Sequence, residues 1–213
     1  MTQSNKRKPL IHEQENKGSA DKATQILTGA RNEFLIHGYA GTSMDKVAAA
    51  AGVSKQTLYS YFQDKENLFT ALVERMASER FQVLFGDKPL EGEPSIVLRQ
   101  VATRALSTIA NDQKYLAFAR LAIAESGRFP HLAQLLIRNG FQPGIGRLSC
   151  YFADHPELKI GDPEATARIF TGSLMSFILT MEMLHGKEIM PMESDRLIDS
   201  LIDLVLCCSE SSF

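Results

Sequence analysis

The chain has 213 residues, of which 44% are hydrophobic and 23% charged, a composition that is typical of folded proteins and excludes wholesale disorder. Its 23 basic and 25 acidic residues nearly balance, which excludes a polycation, and no uncharged apolar run reaches the roughly 18 residues that a membrane span needs. Three cysteines, Cys150, Cys207 and Cys208, with two of them adjacent, do not form a disulfide framework. We therefore expect a reduced, cytoplasmic protein.

Helical spacing of apolar residues runs through the chain, and no segment shows the sustained alternation of a β-strand. Residues 1–19 are polar and are expected to form a flexible tail. Gly38, Gly52 and the turn-rich stretch of residues 86–94 each follow a predicted helix. The predicted helices are Ala20–His37, Met44–Ala51, Lys55–Tyr61, Lys65–Phe85, Ser95–Ala110, Lys114–Ser126, Pro130–Asn139, Gly144–Asp154, Glu164–His185 and Ser194–Cys208. The sequence thus predicts an all-α protein.

Two of these helices are short and are joined by Ala51-Gly52-Val53. A tight glycine turn sets two short helices at a steep angle, as in a helix-turn-helix. Apolar residues such as Val47 and Leu58 face inward, and polar residues gather on the other side of the second helix. A helix of this width fits the major groove of DNA, where its N-terminal side chains reach base edges. The first 80 residues are also slightly basic and the remainder acidic, as in a DNA-binding module on a non-binding body.

The segment Gly41–Phe69, and more broadly residues 20–80, resembles the DNA-binding domain of the TetR family of bacterial transcriptional regulators. The motifs that carry the resemblance are Gly38-Tyr39, Thr42-Ser43, Val47-Ala48, Ala51-Gly52-Val53-Ser54, Thr57-Leu58-Tyr59-Ser60-Tyr61-Phe62 and Lys65-Glu66-Asn67-Leu68. The second half more loosely resembles the AefR-like regulatory domain, through Phe118-Ala119-Arg120-Leu121 and Glu125-Ser126-Gly127-Arg128-Phe129-Pro130. Together they imply a helix-turn-helix domain over residues 20–80 and a helical ligand-binding and dimerisation domain over residues 81–213.

The family resemblance implies a set of DNA contacts at the start of the two short helices and around the second of them. Helix N-termini offer free N–H groups to phosphate, and a lysine adds a point charge, which supports these roles. The implied contacts are Thr42, Ser43, Ser54, Lys55, Gln56, Thr57, Tyr59, Ser60, Tyr61 and Lys65. Tyr61 departs from the pattern, because many relatives have histidine there. Lys6-Arg7-Lys8 is a further candidate, as a minor-groove arm.

The predicted helices over residues 164–185 and 194–208 carry more apolar residues than one buried face requires. We expect each to meet its copy in a second chain, forming a four-helix interface, as the family resemblance also implies. The alternative is an unusually thick core in a monomer. A protein that reads two half-sites of DNA needs such a twofold dimer.

A ligand cavity between the middle helices is implied by the same resemblance. Its candidate lining residues are Tyr115, Phe118, Ala122, Phe141, Tyr151, Phe177 and Met181, with Arg120 and Glu125 as candidate polar anchors. The alternative is that the apolar residues are plain core and that Arg120 and Glu125 pair on one helix turn.

No catalytic or metal-binding motif competes with the helix-turn-helix. The five histidines are scattered, and the sequence lacks the nucleophile-elbow and phosphate-loop glycine motifs. We therefore expect neither an enzyme nor a cofactor or metal site. Cys207 and Cys208 are expected to be small buried side chains, with a redox switch as the alternative.

The sequence favours a ligand-responsive repressor that binds a palindromic DNA operator as a homodimer and that responds to an unknown small-molecule effector. The alternative is an all-helical small-molecule binding or catalytic protein that retains the helix-turn-helix as a scaffold. An activator is equally compatible with the sequence, because the sign of regulation depends on where the operator lies relative to the promoter.

Overall fold

The computed structural model of the chain describes the backbone of residues 11–207 and the side chains of residues 20–207. Internal contacts divide the chain into two compact units, Met1–Leu72 and Val73–Phe213, and the boundary falls inside one long helix. Residues 11–207 contain helices and turns but no β-strand, which confirms the predicted all-α class. Within that range, no helix combines the length and the apolar character needed to cross a lipid bilayer.

The first unit contains α1 (Ile11–Gly41), α2 (Met44–Ala50), α3 (Lys55–Tyr61) and the beginning of α4 (Lys65–Phe85). The bounds of α3 and α4 agree with those predicted, and α2 ends one residue early. Gly38, with φ 70° and ψ 173°, interrupts α1 where its end was predicted. These backbone angles favour glycine, which has no Cβ to clash.

The start of α1 differs from the prediction. The helix begins at Ile11 rather than at Ala20, so the predicted flexible tail of residues 1–19 overlaps its first turns. The sequence did not reveal these turns, because residues 11–19 are mostly polar and show no repeat of apolar residues at helical spacing. The candidate arm Lys6-Arg7-Lys8 lies outside the described residues.

Three aromatic rings form the centre of the first unit. The Phe69 ring meets Phe34 edge-on at 5.1 Å and Tyr39 edge-on at 5.2 Å, the distances being between ring centroids. Phe34 and Phe69 are almost completely buried, as are Leu58 of α3 and Leu68 of α4. Edge-to-face aromatic pairs contribute roughly 0.5–1.5 kcal/mol beyond their buried area, so this cluster fastens α4 to α1.

Gly29 has no side chain, so the backbone of α1 lies directly against the backbone of the turn after α2. A Cβ built on Gly29 would lie 2.8 Å from the Ala51 nitrogen and 2.9 Å from its Cα, closer than real atoms pack. Beside it, Gln25 Nε2 donates to the Ala51 carbonyl at 2.6 Å. These two contacts fix the turn against α1 and therefore set the direction in which α3 leaves it.

The second unit is a bundle that begins within α4. Its helices are α5 (Pro94–Ala110), α6 (Gln113–Glu125), α7 (Pro130–Leu136), α8 (Gln142–Ala153), α9 (Pro163–Phe177) and α10 (Ser194–Cys207). α9 packs on α8, and α10 packs on α5. Asp162 caps α9 by accepting from the Ala165 N–H at 3.0 Å, with Pro163 in the first turn, as the start signal predicted. Cys207 is exposed, so the prediction that it is buried is wrong, and Cys208, the predicted last residue of α10, lies outside the described residues.

Two stretches of wide, π-helical turn occur in this bundle where the sequence predicted ordinary helix or loop. One, Ile137–Phe141, joins α7 to α8, and the other, Ile178–Met183, continues α9. The predicted helix Glu164–His185 therefore changes its hydrogen-bonding pattern at Ile178, and His185 lies outside it with φ 58°. A π turn shifts the register by one residue without altering composition, so periodicity alone does not reveal it.

We expect Gly29→Ala to destabilise the protein by about 1–3 kcal/mol, because the new methyl group would press against the Ala51 backbone. Urea unfolding followed by circular dichroism measures the loss. The matched control is Gly41→Ala in the same helix, where the new Cβ would meet only His37 Cβ, at an ordinary 3.5 Å. Equal losses in the two variants would contradict the close approach.

Candidate functional site

The turn between α2 and α3 is built from serine caps and one glycine. Ser43 Oγ accepts from the Lys46 N–H at 3.3 Å at the start of α2, and Ser54 Oγ accepts from the Thr57 N–H at 3.0 Å at the start of α3. Gly52, with φ 62°, turns the chain between them. Ser43 therefore caps α2.

α3 has one buried side and one polar side. Leu58 is completely buried, whereas Lys55, Gln56 and Ser60 are exposed. Tyr59 is 48% exposed, so a large part of an aromatic ring faces outward beside these polar groups. We name the exposed side of α3, formed by Lys55, Gln56, Tyr59 and Ser60, the α3 polar face. The structure thus brings four of the predicted DNA contacts together on one surface.

Local hydrogen bonds and one ion pair hold several of the predicted contacts on and just before α3. The hydroxyls of Ser54 and Thr57 lie 2.8 Å apart, and Ser60 Oγ donates to the Thr57 carbonyl at 2.7 Å. Lys55 Nζ contacts Asp45 Oδ2 at 2.5 Å in an exposed ion pair, so its charge is tied to α2. Exposed pairs of this kind contribute little, and a phosphate can compete with the carboxylate for the lysine. Tyr61 is half-buried.

The structure does not bring the Thr42 side chain to the surface. Thr42 is 3% exposed. Its hydroxyl lies within hydrogen-bonding distance of two carbonyl oxygens to which it can donate, Gly38 O at 2.8 Å and Glu33 O at 3.1 Å. The hydroxyl therefore closes the bend at the end of α1. The sequence did not separate this role from phosphate contact, because both use a threonine just before a helix.

Lys65 also has partners within the protein. Its ammonium donates to the Tyr39 carbonyl at 2.9 Å and to the Thr42 carbonyl at 3.1 Å, and it lies 4.5 Å from the centroid of the Tyr39 ring. Burial raises the pKa of the Tyr39 hydroxyl, and the carboxylates of Glu66 and Asp64 raise it further. An ammonium has three donors, so two carbonyls leave one N–H of Lys65 for another acceptor. The link from Lys65 to Tyr39 was not predicted from the sequence.

The second unit encloses a cavity of about 380 Å³. Four of the predicted lining residues, Tyr115, Phe118, Ala122 and Phe141, lie on its wall. Phe177 and Met181 instead line a different groove of about 420 Å³ between α5 and the start of α10. The sequence prediction merged these two places because aromatic and methionine side chains at helical spacing do not reveal which space they border.

Tyr151 and the two predicted polar anchors do not line this cavity. The buried Tyr151 donates its hydroxyl to the Gly92 carbonyl at 2.8 Å. Burial, with the carboxylates of Glu93 and Glu157, raises the pKa of Tyr151 to about 12. Arg120 donates to the carbonyls of Glu182 at 2.8 Å and Met183 at 3.1 Å, so it holds the end of the second π turn. Glu125 is half-buried at the end of α6.

An ion pair that the sequence did not predict adjoins the cavity. Asp112 caps α6 by accepting from the Tyr115 N–H at 2.9 Å, and it also forms an ion pair with Arg80 of α4. The Arg80 guanidinium lies 4.7 Å from the centroid of the Tyr115 ring. Partial burial pushes the pKa of Asp112 upward, but the Tyr115 N–H and the Arg80 charge outweigh it and hold the pKa below its ordinary value.

Two short helices joined by a tight turn, with the second helix buried on one side and polar on the other, form the architecture of a helix-turn-helix DNA-binding protein. Residues 26–72 match the family model of bacterial regulatory proteins of the tetR family, and residues 97–209 match that of the AefR-like transcriptional repressor C-terminal domain. The chain therefore belongs to the TetR family of bacterial transcriptional regulators, which confirms the resemblance seen in the sequence. It is a DNA-binding transcriptional regulator.

Relatives and solved structures agree over most of the chain. The uncharacterized HTH-type transcriptional regulator YhgD of Bacillus subtilis is 28% identical over 171 residues, which cover 78% of this chain and 87% of YhgD. The structure of the flavonoid-responsive regulator FrrA is 29% identical, with a TM-score of 0.72 over 88% of this chain and 96% of FrrA. A TetR-family regulator from Mesorhizobium loti is 27% identical, with a TM-score of 0.68 over 89% of this chain and 96% of its own.

We expect Asp112→Asn to lower stability at pH 7 and to flatten the loss of stability in acid. The folded-state pKa of Asp112 is lowered, so its carboxylate stabilises the fold above the unfolded-state pKa, and this stabilisation disappears as pH falls through the folded-state value. Asparagine keeps an oxygen for the Tyr115 N–H, so the variant removes mainly the charge. Thermal unfolding between pH 7 and pH 3 measures the effect, with the exposed Glu91→Gln as control. Parallel pH profiles for Asp112→Asn and the wild type would contradict the expectation.

Proposed function

We propose that the chain is a ligand-responsive transcriptional repressor that binds a palindromic operator as a homodimer. The observation that carries the proposal is the α3 polar face, which is exposed on a helix whose opposite side, at Leu58, is fully buried. Membership of the family places such a helix in a DNA-binding regulator. The match to an AefR-like repressor domain favours repression over activation.

In this proposal α3 enters the major groove. Gln56 and Thr57 stand in its first turn, where side chains reach base edges, and Lys55 and Tyr59 stand beside the phosphates. Ser43 is exposed at the start of α2, where free N–H groups favour a phosphate. Lys65 would add one phosphate contact through its remaining N–H.

Exposed apolar residues on the last helices support the dimer. Ile169 of α9 is 66% exposed, Leu204 of α10 is 68% exposed, and Leu184 just beyond the second π turn is 65% exposed. Other residues of the same helices, such as Phe170 and Leu201, are buried in the core of their own unit. Each helix thus has an apolar surface left over after its own core is filled. A twofold axis that covers these surfaces would place two copies of α3 on an inverted repeat.

The cavity of the second unit supports a response to a small molecule, and so does the similarity to the flavonoid-responsive regulator FrrA. A ligand that favours a dimer with misplaced recognition helices would release the operator. To weaken operator binding a hundredfold, the ligand must favour that state by about 2.7 kcal/mol, which is within the usual range of allosteric coupling. Because a bacterial regulator meets DNA in the cytoplasm, we propose a cytoplasmic location.

Selection of bound DNA from a random pool, followed by gel shift, tests the proposal. We expect an inverted repeat bound in a discrete complex, with half-site centres one helical turn, about 34–36 Å, or a multiple of it apart. Transcription from a promoter that contains this site should rise when the protein is removed. A smear on every sequence would contradict operator recognition, and a fall in transcription would contradict repression.

Lys65→Ala and Gln56→Ala separate phosphate contact from base reading. We expect Lys65→Ala to weaken binding to all sequences and to lower the slope of log K against log salt by about 1. We expect Gln56→Ala to change the selected sequence and to leave the slope unchanged. Thermal unfolding is measured beside the binding, because Lys65 also holds the carbonyls of Tyr39 and Thr42. Lower stability with an unchanged salt slope would remove Lys65 from the phosphate contacts.

A charge placed on the proposed dimer surface tests the assembly. We expect Ile169→Asp to give a monomer in light scattering at micromolar concentration and to lose operator binding, because two carboxylates would be buried in each interface. The matched control is Ile96→Asp, which replaces a similarly exposed isoleucine in a surface groove lined by residues of α5 alone. A dimer that persists in Ile169→Asp would contradict this interface.

A further inference from the structure

The wall of the 380 Å³ cavity carries no ionisable acid or base among its lining residues other than the phenol of Tyr115. The cavity is bounded by the part of α4 that follows Val73, by α6 and α7, and by both π turns. Twenty residues line the cavity. Nearly all are apolar, and none is aspartate, glutamate, lysine, arginine or histidine.

Two arginines beside this wall are already paired. Arg80 lines a smaller adjoining recess of about 90 Å³, but its guanidinium is bound to Asp112. Arg120 is bound to the main-chain carbonyls of Glu182 and Met183. An ionised ligand that entered the cavity would lose water and gain no opposite charge from the wall, which is costly. A neutral ligand does not have this cost.

Three polar groups on the wall could orient such a ligand: Tyr115, Ser126 and Gln134. Burial raises the pKa of Tyr115, so its phenol keeps its proton near neutral pH and remains a donor. Ser126 Oγ already donates to the Ile123 carbonyl at 2.6 Å, which leaves its lone pairs to accept. The polar groups therefore suit one or two uncharged hydrogen-bonding groups on a mostly apolar molecule.

The cavity opens to solvent beside apolar side chains, and both π turns contribute residues to its wall. Ile123 and Ile137 belong to the wall and are each 58% exposed, so they stand where the cavity meets solvent. Ile137, Gly140 and Phe141 come from the first π turn, and Ile178 and Met183 from the second. Wide turns of this kind frequently occur at functional sites. Two of them on one cavity wall distinguish it from an ordinary packing defect.

We propose that this cavity binds a neutral, predominantly apolar small molecule that presents an uncharged hydrogen-bonding group, and that it discriminates against ionised ligands of the same shape. This proposal rests on the proposed function only for the identification of the cavity as the effector site; the chemistry of the ligand follows from the residues on the wall. The volume is within the range of small-molecule sites in proteins.

The test is displacement of the neutral dye Nile red from the full-length protein at pH 7 by 2-naphthol and by 2-naphthoate. These two molecules share a ring system, and only the naphthoate is ionised at this pH. The chain has no tryptophan, so its own emission does not obscure the dye. We expect 2-naphthol to displace the dye at a concentration at least about thirtyfold lower than 2-naphthoate, because only the naphthoate brings an unpaired charge into the cavity. Equal or better displacement by naphthoate, or no dye binding, would overturn the proposal.

Two alanines of α6 locate the binding. Ala119 is on the cavity wall and Ala124 is exposed off it, so Ala119→Phe should weaken dye binding at least tenfold and Ala124→Phe should leave it unchanged. Ile137→Glu, at an exposed position of the entrance that tolerates a charge, should also weaken it. Equal effects of the two phenylalanine variants, or no effect of Ile137→Glu, would place the dye elsewhere and overturn the assignment.

The DNA gel shift is read separately from dye binding. If 2-naphthol binds as expected and operator release is absent at saturation, the chemistry of the cavity stands and the ligand response of the proposed function is contradicted for this probe. If 2-naphthoate is preferred and the operator is still released, the ligand response stands and the proposed chemistry of the cavity is overturned.

Discussion

The close approach of α1 to the turn between α2 and α3 sets the orientation of everything that could touch DNA. Gly29 lies against the backbone of Ala51, and Gln25 holds the Ala51 carbonyl. With the turn fixed on one side and Leu58 buried on the other, α3 has little freedom to rotate about its axis. The polar residues on its outer side gain their common direction from these buried contacts. Recognition therefore depends on packing atoms that never meet the nucleic acid.

The local signals in the sequence were sufficient for α3 and its caps. Ser54 and Gly52 both have strong preferences for the backbone geometry that they adopt, so the turn that begins α3 followed from residue type. Thr42 and Lys65 were harder, because a hydroxyl or an ammonium before a helix can bind a carbonyl of its own chain as readily as a phosphate. Only the three-dimensional positions of Glu33, Gly38 and Tyr39 reveal those internal partners.

The second unit was predictable as a set of helices but less so as a binding site. The positions of Asp162 and Pro163 gave the start of α9, yet nothing in the spacing revealed that the helix widens at Ile178. Apolar side chains at helical intervals either fill a core or surround a space, and the same sequence pattern produces both. Tyr115 and Phe118 border the cavity, while Phe177 and Met181 border a different groove. The difference lies in the helices that surround each space: α6 and α7 border the cavity, and α5 and the start of α10 border the groove.

Arg120 joins α6 to the end of the second π turn through main-chain oxygens of Glu182 and Met183. Every residue type has the same main-chain carbonyl, so these hydrogen bonds from Arg120 do not depend on which side chains occupy positions 182 and 183. Met183, which borders the cavity, can therefore be exchanged during evolution while the backbone that carries it stays anchored. Such an arrangement would let related proteins diverge in what they sense and keep the same scaffold.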